Sequence, residues 1–487
     1  MLQRALRIGA IAGAALGFVT AAAAQTQGPQ GLDRISHLLV LYMENRSFDN
    51  MFGEFPGANG IANAGESAIQ RDRSGKPYEM LPASKGPFDR AGNPPELRAI
   101  PTLDGLPNAP FKIEGIRPGV TAASFTRDLI HAFYTNRSQI HDGRNNRFAL
   151  LSDANGLTMG YYGADSMKET AVWKLAQQYT LFDNFFMGAF GGSFLNHFWL
   201  VCACAPVWPD PPASLRSEID DEGVVVKENK VVAKGDGDYA VNTTQSIFLN
   251  NGRQGGDLLP AQRAVTIGDR LTEKGVDWAW YSGGFNLAIK ANRTAAEDAE
   301  LTKKSFQWHH QPFAYFARFN PLTERGRAER AKHLKDEAAL EADIKSGKLP
   351  PVAFYKPIGE LNQHPGYASL VPGDDEVARI IRLMDESPMK DSYAIIITYD
   401  ENGGFWDHVA PPSGPKAGAR ADFFGPGSRI PTILVSPFAR KGVVDHTEYE
   451  STSILRLIAE RHRLAPLPSA RFGAVESLAK AFDFERR

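Results

Sequence analysis

Short apolar runs that end in polar residues recur along the chain and predict buried β-strands. Such a run suits a parallel strand that is covered on both faces, and segments with helical apolar spacing separate the runs. The predicted strands are residues 38–42, 276–281, 351–355, 394–398 and 430–437. The predicted helices are residues 170–179, 374–385 and 451–463, a helix that follows Ser193, and the charged stretch 322–348. This alternation predicts an α/β fold with a mainly parallel central sheet flanked by helices on both faces.

The remaining segments suggest how the chain is organised. Residues 1–24 combine Arg4 and Arg7 with a short apolar stretch and a run of alanines, which is typical of a cleaved signal peptide. A membrane anchor is the alternative, but the apolar part is short for one. Residues 25–487 show no linker and are expected to form a single domain. Residues 208–262, Pro-rich and then resembling a hairpin, are expected to be a peripheral excursion from it.

Charge and cysteine content narrow the classes of function. Removing Arg4 and Arg7 leaves 52 basic residues against 56 acidic ones, a net charge of −4. Nucleic acid as a partner calls for a basic face and is therefore not expected. The signal peptide predicts a periplasmic or secreted protein without a stable membrane anchor. Cys202 and Cys204 are interpreted as small buried hydrophobic residues rather than a redox or metal pair, because a bridge between them would be strained.

A repeated motif marks the ends of two predicted strands. YMENRSFD at residues 42–49 is matched by YDENGGFWD at residues 399–407. If the two strands are neighbours, Glu44, Asn45, Asp400 and Glu401 converge at the edge of the sheet where ligands bind in open α/β folds. Oxygen ligands of this kind favour one divalent cation of the Ca²⁺, Mg²⁺ or Mn²⁺ class over zinc.

Ser193 follows Phe190-Gly191-Gly192 and begins an apolar helix. A helix N-terminus after glycines presents free N–H groups, which suits an incoming phosphate. A serine oxygen that completes the metal shell would lose its proton readily and become a nucleophile. Capping of the helix by Ser193 is an equally simple interpretation of the residue.

Four histidines lie in or near polar segments and could stabilise phosphoryl oxygens or protonate a leaving alkoxide. They are His131, His309, His310 and His364. Imidazoles that must be charged would work best below neutral pH. A histidine beside an apolar helical face, as expected for His131, is more often structural than functional.

Several long motifs resemble the bacterial phosphoesterase family that joins phospholipases C and acid phosphatases. The resemblance rests on HLLVLYMENRSFDNMFG, YDENGGFWDHVAPP, MGYYG, FGGSFLNHFW, FQWHHQPFAYF and NQHPGYAS, and the match extends over most of the mature chain. It implies a core like that of alkaline phosphatases and sulfatases. It also implies that Glu44, Asn45, Asp400 and Glu401 bind the metal, and that Ser193 is a nucleophile that forms a phosphoserine.

The resemblance assigns further residues to the pocket. Histidines that line the family's pocket are matched by His131, His309, His310 and His364. Asn286 matches a pocket residue less closely. Asp407 and His408 lie in the second motif, where they either approach the substrate and metal or brace the loop. Serine rather than threonine at the nucleophile favours the phosphatase branch, whereas Gln363 replaces the glutamate expected before His364.

The predicted function is an exported, metal-dependent acid phosphatase that hydrolyses small phosphomonoesters of broad range. A phospholipase C that cleaves phosphatidylcholine-type lipids is the alternative, so phospholipid is a second expected partner. A non-catalytic binder of phosphorylated ligands is a more remote alternative, because a binding pocket has no use for a serine beside a metal.

Overall fold

The computed structural model describes residues 30–249 and 257–485, so the predicted signal peptide lies outside the described residues. An eight-stranded sheet forms the centre, with the strand order β4-β3-β5-β1-β6-β7-β2-β8. Its strands are β1 His37–Met43, β2 Thr180–Phe182, β3 Trp278–Ser282, β4 Leu334–Lys335, β5 Val352–Lys356, β6 Tyr393–Tyr399, β7 Thr432–Val435 and β8 Val443–Asp445. Only β7 runs antiparallel to its neighbours among the strands of this sheet.

Helices flank the sheet, and this confirms the predicted α/β class. The α-helices of five or more described residues are α1 Phe48–Phe52, α2 Phe133–Ile140, α3 Ala171–Gln178, α4 Ser193–Cys202, α5 Ile267–Glu273, α6 Phe285–Ile289, α7 Ala295–Lys303, α8 Glu324–His333, α9 Glu337–Lys345, α10 Leu370–Asp385, α11 Ser451–His462 and α12 Ala470–Ala474. The helix α10 packs against α3, and α11 packs against α4. Within the described residues, no helix is both long enough and apolar enough to cross a membrane.

The central strands β1 and β6 are apolar because helices cover both faces of the sheet. Residues 38–43 of β1 are each at most 1% exposed, which is the burial expected of a central parallel strand. The two strands pair in register from His37 with Tyr393 to Met43 with Tyr399. They therefore end side by side, and the residues that follow them meet at one edge of the sheet.

Two predicted elements differ from the observed ones. The charged stretch 322–348 is not one continuous helix, because Leu334 and Lys335 leave the helical conformation to pair with β3 as an edge strand between α8 and α9. The helix α2 begins only at Phe133, after an extended Ala132. His131 therefore precedes the helix and does not lie on its face.

Segment 208–249 packs on the helix α2. A short hairpin pairs Glu218–Ile219 with Val225–Lys227, earlier in the chain than predicted. Val231 and Val232, which were expected in that hairpin, are 0% exposed and belong to the main core. Glu228 accepts hydrogen bonds from the N–H groups of residues 134 and 135 in the first turn of α2.

Cys202 and Cys204 form a disulfide, so the prediction that they are unpaired is wrong. Cys202 is the last residue of α4, and Ala203 adopts a left-handed conformation with φ 49°. This conformation turns the chain back on itself and brings the two Cα atoms to 5.1 Å. The separation lies within the usual range for a disulfide.

Candidate active site

The neighbouring strands β1 and β6 deliver four polar residues to one edge of the sheet. Glu44 and Asn45 follow β1, and Asp400 and Glu401 follow β6. All four are 0% exposed, and the Asn45 N–H donates to Asp400 Oδ1 over 3.1 Å. The structure thus brings together the residues of the repeated motif. With Ser193, described next, they are called the Glu44 cluster.

Ser193 joins this cluster and does not cap the helix α4. Gly192 is the N-cap, and Ser193 is the first helical residue. The Ser193 hydroxyl donates instead to Glu44 Oε2 over 3.1 Å and lies 3.4 Å from Asn45 Oδ1. Of the two interpretations left open by the sequence, this geometry favours the reactive oxygen over the cap.

Two glycines allow the backbone to approach closely at the site. A Cβ atom at Gly192 would lie 2.6 Å from the backbone oxygen of His131. Gly403 has φ +61°, and a Cβ atom there would lie 2.4 Å from the backbone oxygen of Asn45. Asn45 itself has φ +58°, a conformation that asparagine tolerates better than most residues. The loops around the cluster are therefore packed against one another.

The four predicted histidines surround the Glu44 cluster. His310 Nε2 lies 2.7 Å from Glu44 Oε1, and His364 Nε2 lies 3.9 Å from Glu44 Oε2. His131 Nε2 lies 3.5 Å from Asn45 Nδ2. The ring of His309 contacts the ring of His310 edge-on, with 4.7 Å between the centroids.

Lys356, which the sequence did not single out, is the cation closest to Glu44. It ends β5, is 0% exposed, and places Nζ 2.5 Å from Glu44 Oε1 and 3.9 Å from Asp400 Oδ2. The ammonium also donates to the Met43 backbone oxygen over 3.2 Å. A lysine at the end of the apolar run PVAFYK was the available signal, because a charge at that place needs a buried partner.

His197 is a second residue that the sequence did not single out. It lies one helical turn after Ser193, and its Nδ1 is 2.7 Å from the Ser193 backbone oxygen. Its ring stacks on that of His310 with 5.1 Å between centroids. Glu44, His197 and His310 form a group whose ligand atoms lie close enough to hold a metal ion. The i, i+4 spacing from Ser193 was the signal in the sequence.

Buried polar atoms without partners mark the place where a cation fits. Within residues 30–249 and 257–485, Asp400 Oδ2, Glu401 Oε1 and His197 Nε2 have no hydrogen-bond partner. Buried carboxylate oxygens are costly unless they are paired or bound to a metal. The donor set of the Glu44 cluster therefore fits a hard divalent cation, with oxygen ligands in the majority.

Burial and neighbouring charges shift the pKa values of the carboxylates in opposite directions. Burial alone would raise the pKa of Glu44, but Lys356 and His310 hold it well below its usual range. Burial, and then the charge of Glu44, raise the pKa of Asp400 to about 7. Burial and the charge of Asp400 raise the pKa of Glu401 well above its usual range. Both shifts favour the protonated forms of Asp400 and Glu401, and a bound cation would oppose them.

Four buried histidines near Glu44 have pKa values shifted toward the neutral form. Burial lowers the pKa of His310 to about 4. Burial is also the main cause that lowers the pKa of His197, His309 and His364. These shifts run against the expectation that charged imidazoles produce an acidic optimum.

The structure places the three predicted substrate-binding residues outside the Glu44 cluster. Asn286 is exposed, and its N–H donates to Asp336. Asp407 and His408 belong to a separate buried group, here called the Asp49 cluster, with Asp49 and Arg429. Asp407 pairs with Arg429 over 2.8 Å, and His408 pairs with Asp49 over 2.7 Å. Of the two roles left open for Asp407 and His408, these contacts fit bracing of the loop.

A cavity of about 410 Å³ opens beside Ser193, between its two chain neighbours and His131. Its lining joins Gly192 and Phe194 of the α4 segment to His131. Residues 241–243, from the segment predicted as an excursion, form another wall. A substrate that reaches Ser193 through this cavity would contact that segment.

A model of the Phosphoesterase family matches residues 35–465, which is most of the chain. The chain belongs to this family. The resemblance stated from the motifs is thereby confirmed, and phosphoester hydrolysis is the activity that this membership supports. Acidic and histidine groups that could hold a metal ion agree with the metal dependence of the family.

Curated relatives of this Phosphoesterase family member include bacterial and plant phospholipases C. Phospholipase C B of Mycobacterium tuberculosis is 24% identical over 491 residues, which span 94% of this chain and 79% of that protein. The non-hemolytic phospholipase C of Burkholderia pseudomallei is 24% identical over 463 residues, 88% of this chain and 55% of that protein. Non-specific phospholipase C6 of Arabidopsis thaliana is 31% identical over 151 residues, 26% of this chain and 29% of that protein.

A solved structure shows a weak similarity. The phosphonate monoester hydrolase SpPMH from Silicibacter pomeroyi has a TM-score of 0.31 and 10% sequence identity, covering 64% of this chain and 71% of that chain.

Proposed function

We propose that this protein is a metal-dependent phosphomonoesterase that works through a phosphoserine at Ser193. The observation that carries the proposal is the position of the Ser193 hydroxyl, 3.1 Å from Glu44 Oε2, at the first turn of α4. A serine used only for packing or capping has no need of a buried carboxylate. A nucleophile beside a metal shell needs this arrangement.

The Glu44 cluster would hold one divalent cation through Glu44, Asn45, Asp400, Glu401 and the Ser193 oxygen. When bound, such a cation lowers the pKa of the serine hydroxyl and neutralises charge on the phosphoryl oxygens. The five residues offer mostly oxygen ligands, so Ca²⁺, Mg²⁺ or Mn²⁺ is expected rather than zinc.

The chain's own groups would then carry the reaction. Ser193 Oγ attacks phosphorus while the ester oxygen leaves as an alkoxide, and water later hydrolyses the phosphoserine. The free N–H groups in the first turn of α4 orient the phosphoryl group from one side. His131 and His364, next to Asn45 and Glu44, are placed to stabilise phosphoryl oxygens or to give the leaving alkoxide its proton.

Lys356 would act as a positioning residue for Glu44. Its ammonium and His310 both approach Oε1 of the carboxylate, while Oε2 faces Ser193. One oxygen of Glu44 is thus held by the protein, and the other remains available at the nucleophile. This division fixes the orientation of the carboxylate before substrate binds.

A phospholipase C acting on phosphatidylcholine-type lipids is the second candidate. The relatives named as phospholipases C favour it, since one of them aligns with 94% of this chain. Serine at position 193 favours the monoesterase, because many phospholipase members resembling this chain have threonine there. Small phosphomonoesters and phospholipids are therefore the two proposed substrate classes.

Rates on 4-nitrophenyl phosphate and on phosphatidylcholine vesicles, each measured with and without chelator, test the proposal. We expect release of inorganic phosphate from the monoester, lost on chelation and restored by divalent cation. Release of phosphocholine with no activity on any monoester would replace the monoesterase with the phospholipase C. A protein that binds phosphate esters but turns over neither substrate would be the non-catalytic binder.

A further inference from the structure

A second cavity, of about 520 Å³, lies at the edge of the sheet next to the edge strand β4. The helices α6 and α8 and the first turns of α9 surround it. Among the described residues, it shares no lining residue with the cavity beside Ser193. Its size is within the range of small-molecule sites.

Much of the cavity wall is apolar. Phe285, Ile289, Ala331 and Leu334 belong to the lining. Ile289 is 43% exposed, and Leu322, directly after the lining residue Pro321, is 83% exposed. An exposed apolar side chain in the lining, such as Ile289, is typical of a site for an apolar ligand.

Two guanidinium groups complete the lining. Arg327 and Arg330 are three residues apart on α8 and therefore lie on the same face of that helix. Arg327 donates to the Pro321 backbone oxygen over 3.2 Å, and Arg330 Nε donates to that of Phe319 over 2.6 Å. Among the described residues, neither pairs with a carboxylate, and the buried Arg330 Nη2 has no hydrogen-bond partner.

Of the other charged residues of the lining, Lys335 is in an ion pair, and Asp336 accepts hydrogen bonds from backbone N–H groups. Lys335 Nζ lies 2.7 Å from Asp343 Oδ2. Asp336 accepts hydrogen bonds from the N–H groups of Asn286 and Ala338. Arg330 is partly buried, and burial lowers its pKa to about 10, so it stays charged at neutral pH. With Lys335 paired, two guanidinium groups stand against the one carboxylate of Asp336, so the net charge of the lining is positive.

We propose that this cavity binds a long-chain carboxylate, with the acyl chain along the apolar wall and the carboxylate on Arg327 and Arg330. A guanidinium without a counter-ion in a partly buried place is stabilised by an anion, and a planar carboxylate matches its fork of donors. The apolar wall and rim then contribute in proportion to the apolar area that the chain buries. The site does not depend on the proposed phosphoesterase reaction.

Isothermal titration of decanoate into the purified full-length protein tests the proposal. We expect saturable binding to one site, and binding at least about tenfold weaker in Arg327→Gln and in Arg330→Gln, because a hydrogen bond to a charged group is lost. Arg325→Gln is the matched control, since Arg325 lies on the same helix, is exposed and does not line the cavity. Its affinity for decanoate should equal that of the wild type.

Two further ligands measure the contributions of the carboxylate head and of the acyl chain separately. Acetate carries the head alone and decanol the chain alone, and both are expected to bind more weakly than decanoate. Ile289→Asp places a carboxylate at the rim and should weaken decanoate binding without touching the arginines. Arg330→Gln removes a hydrogen bond to the backbone, so circular dichroism checks that each variant is folded. If Arg330→Gln is unfolded, the affinities of Arg327→Gln and Ile289→Asp decide the result.

Three results would overturn the proposal. They are absence of saturable decanoate binding, equal binding by Arg327→Gln and wild type, and binding of acetate or decanol as tight as that of decanoate. The titration is repeated in Ser193→Ala, which should bind decanoate like the wild type. A failure of the proposed phosphoesterase mechanism therefore leaves this measurement unaffected.

Discussion

Two buried acidic clusters follow the same pair of strands and differ in how their charge is balanced. The Glu44 cluster contains three buried carboxylates, and the ammonium group of Lys356 lies within 4 Å of two of them, Glu44 and Asp400. The Asp49 cluster, a few residues further along both loops, places two carboxylates on the guanidinium of Arg429. Both clusters have the residue types of a metal site, and both are buried.

Arginine geometry explains the difference. Arg429 donates from Nε to Asp407 over 2.8 Å and from Nη2 to Asp49 over 3.1 Å, so its fork serves both carboxylates at once. In the Glu44 cluster, Asp400 Oδ2 and Glu401 Oε1 have no hydrogen-bond partner among the described residues. Clusters of similar composition therefore differ in whether their buried oxygens have hydrogen-bond partners, and the oxygens without one favour the Glu44 cluster as the candidate cation site.

The largest expected effect is on turnover. Ser193→Ala should lower kcat by about a thousandfold or more, because no other residue can take the place of a covalent nucleophile. Steady-state rates on 4-nitrophenyl phosphate measure the effect, and metal content measured in parallel should remain close to one ion per chain. Substantial residual turnover in Ser193→Ala would remove the phosphoserine from the mechanism.

Arg429→Gln should lower the free energy of unfolding by about 3–5 kcal/mol, because two buried carboxylates lose their only guanidinium. Urea denaturation of the metal-loaded protein measures it. Arg144→Gln, on an exposed ion pair with Asp142, is the control and should change stability by less than about 0.5 kcal/mol. If Arg429→Gln is as stable as that control, the Asp49 cluster does not brace the loops as described.

In the metal-free protein, the contribution of Asp400 to stability should fall as pH rises from about 4 to about 7. The pKa of Asp400 is raised from 3.8 to about 7, so the folded state binds this proton more tightly than the unfolded chain does. This stabilisation is present in full below the pKa of Asp400 in the unfolded chain. It is lost as pH rises through the pKa of Asp400 in the folded protein, and the loss amounts to about 4 kcal/mol. The buried histidines, whose pKa values are lowered, contribute a slope of the opposite sign. Thermal unfolding after chelation therefore compares the two proteins, and the stability of the wild type minus that of Asp400→Asn should fall toward pH 7. Equal slopes would count against the assignment to Asp400.

Lys356→Met should lower the stability of the metal-free protein by about 2–3 kcal/mol, less than Arg429→Gln, because His310 remains beside Glu44. Divalent cation should restore most of this loss by neutralising the same carboxylates, whereas it should not restore Arg429→Gln. Denaturation of both variants with and without Mn²⁺ measures the contrast. If Mn²⁺ restores the stability of both variants equally, or of neither, the two clusters do not differ in cation binding as proposed.

Local patterns in the sequence were sufficient for five of the eight strands of the central sheet and for much of the site. The apolar runs at β1, β3, β5, β6 and β7 predicted the strands because each run is buried on both faces. The repeated motif predicted that Glu44 and Asp400 meet, since the ends of neighbouring parallel strands share one edge. The glycines before Ser193 predicted a helix N-terminus at that position, which is observed.

Other features depended on contacts between distant segments. Lys356 lies beside Glu44 only because β5 pairs with β1. The apolar sequences of these two strands do not specify that they are neighbours. Asn286 was expected in the pocket but follows β3, which β5 separates from β1. The disulfide needed the left-handed turn at Ala203, which the spacing of two cysteines does not reveal.

The sequence by itself determined the element types, the polar residues at the strand ends and the family to which the chain belongs. Those features are local, because burial periodicity and turn chemistry act over a few residues. Only the tertiary structure decided which of the two acidic clusters retains unpaired oxygens. Arg429 comes from the segment just before β7 and contacts the carboxylates of the Asp49 cluster but not those of the Glu44 cluster. The order of strands in the sheet determines which cluster it contacts.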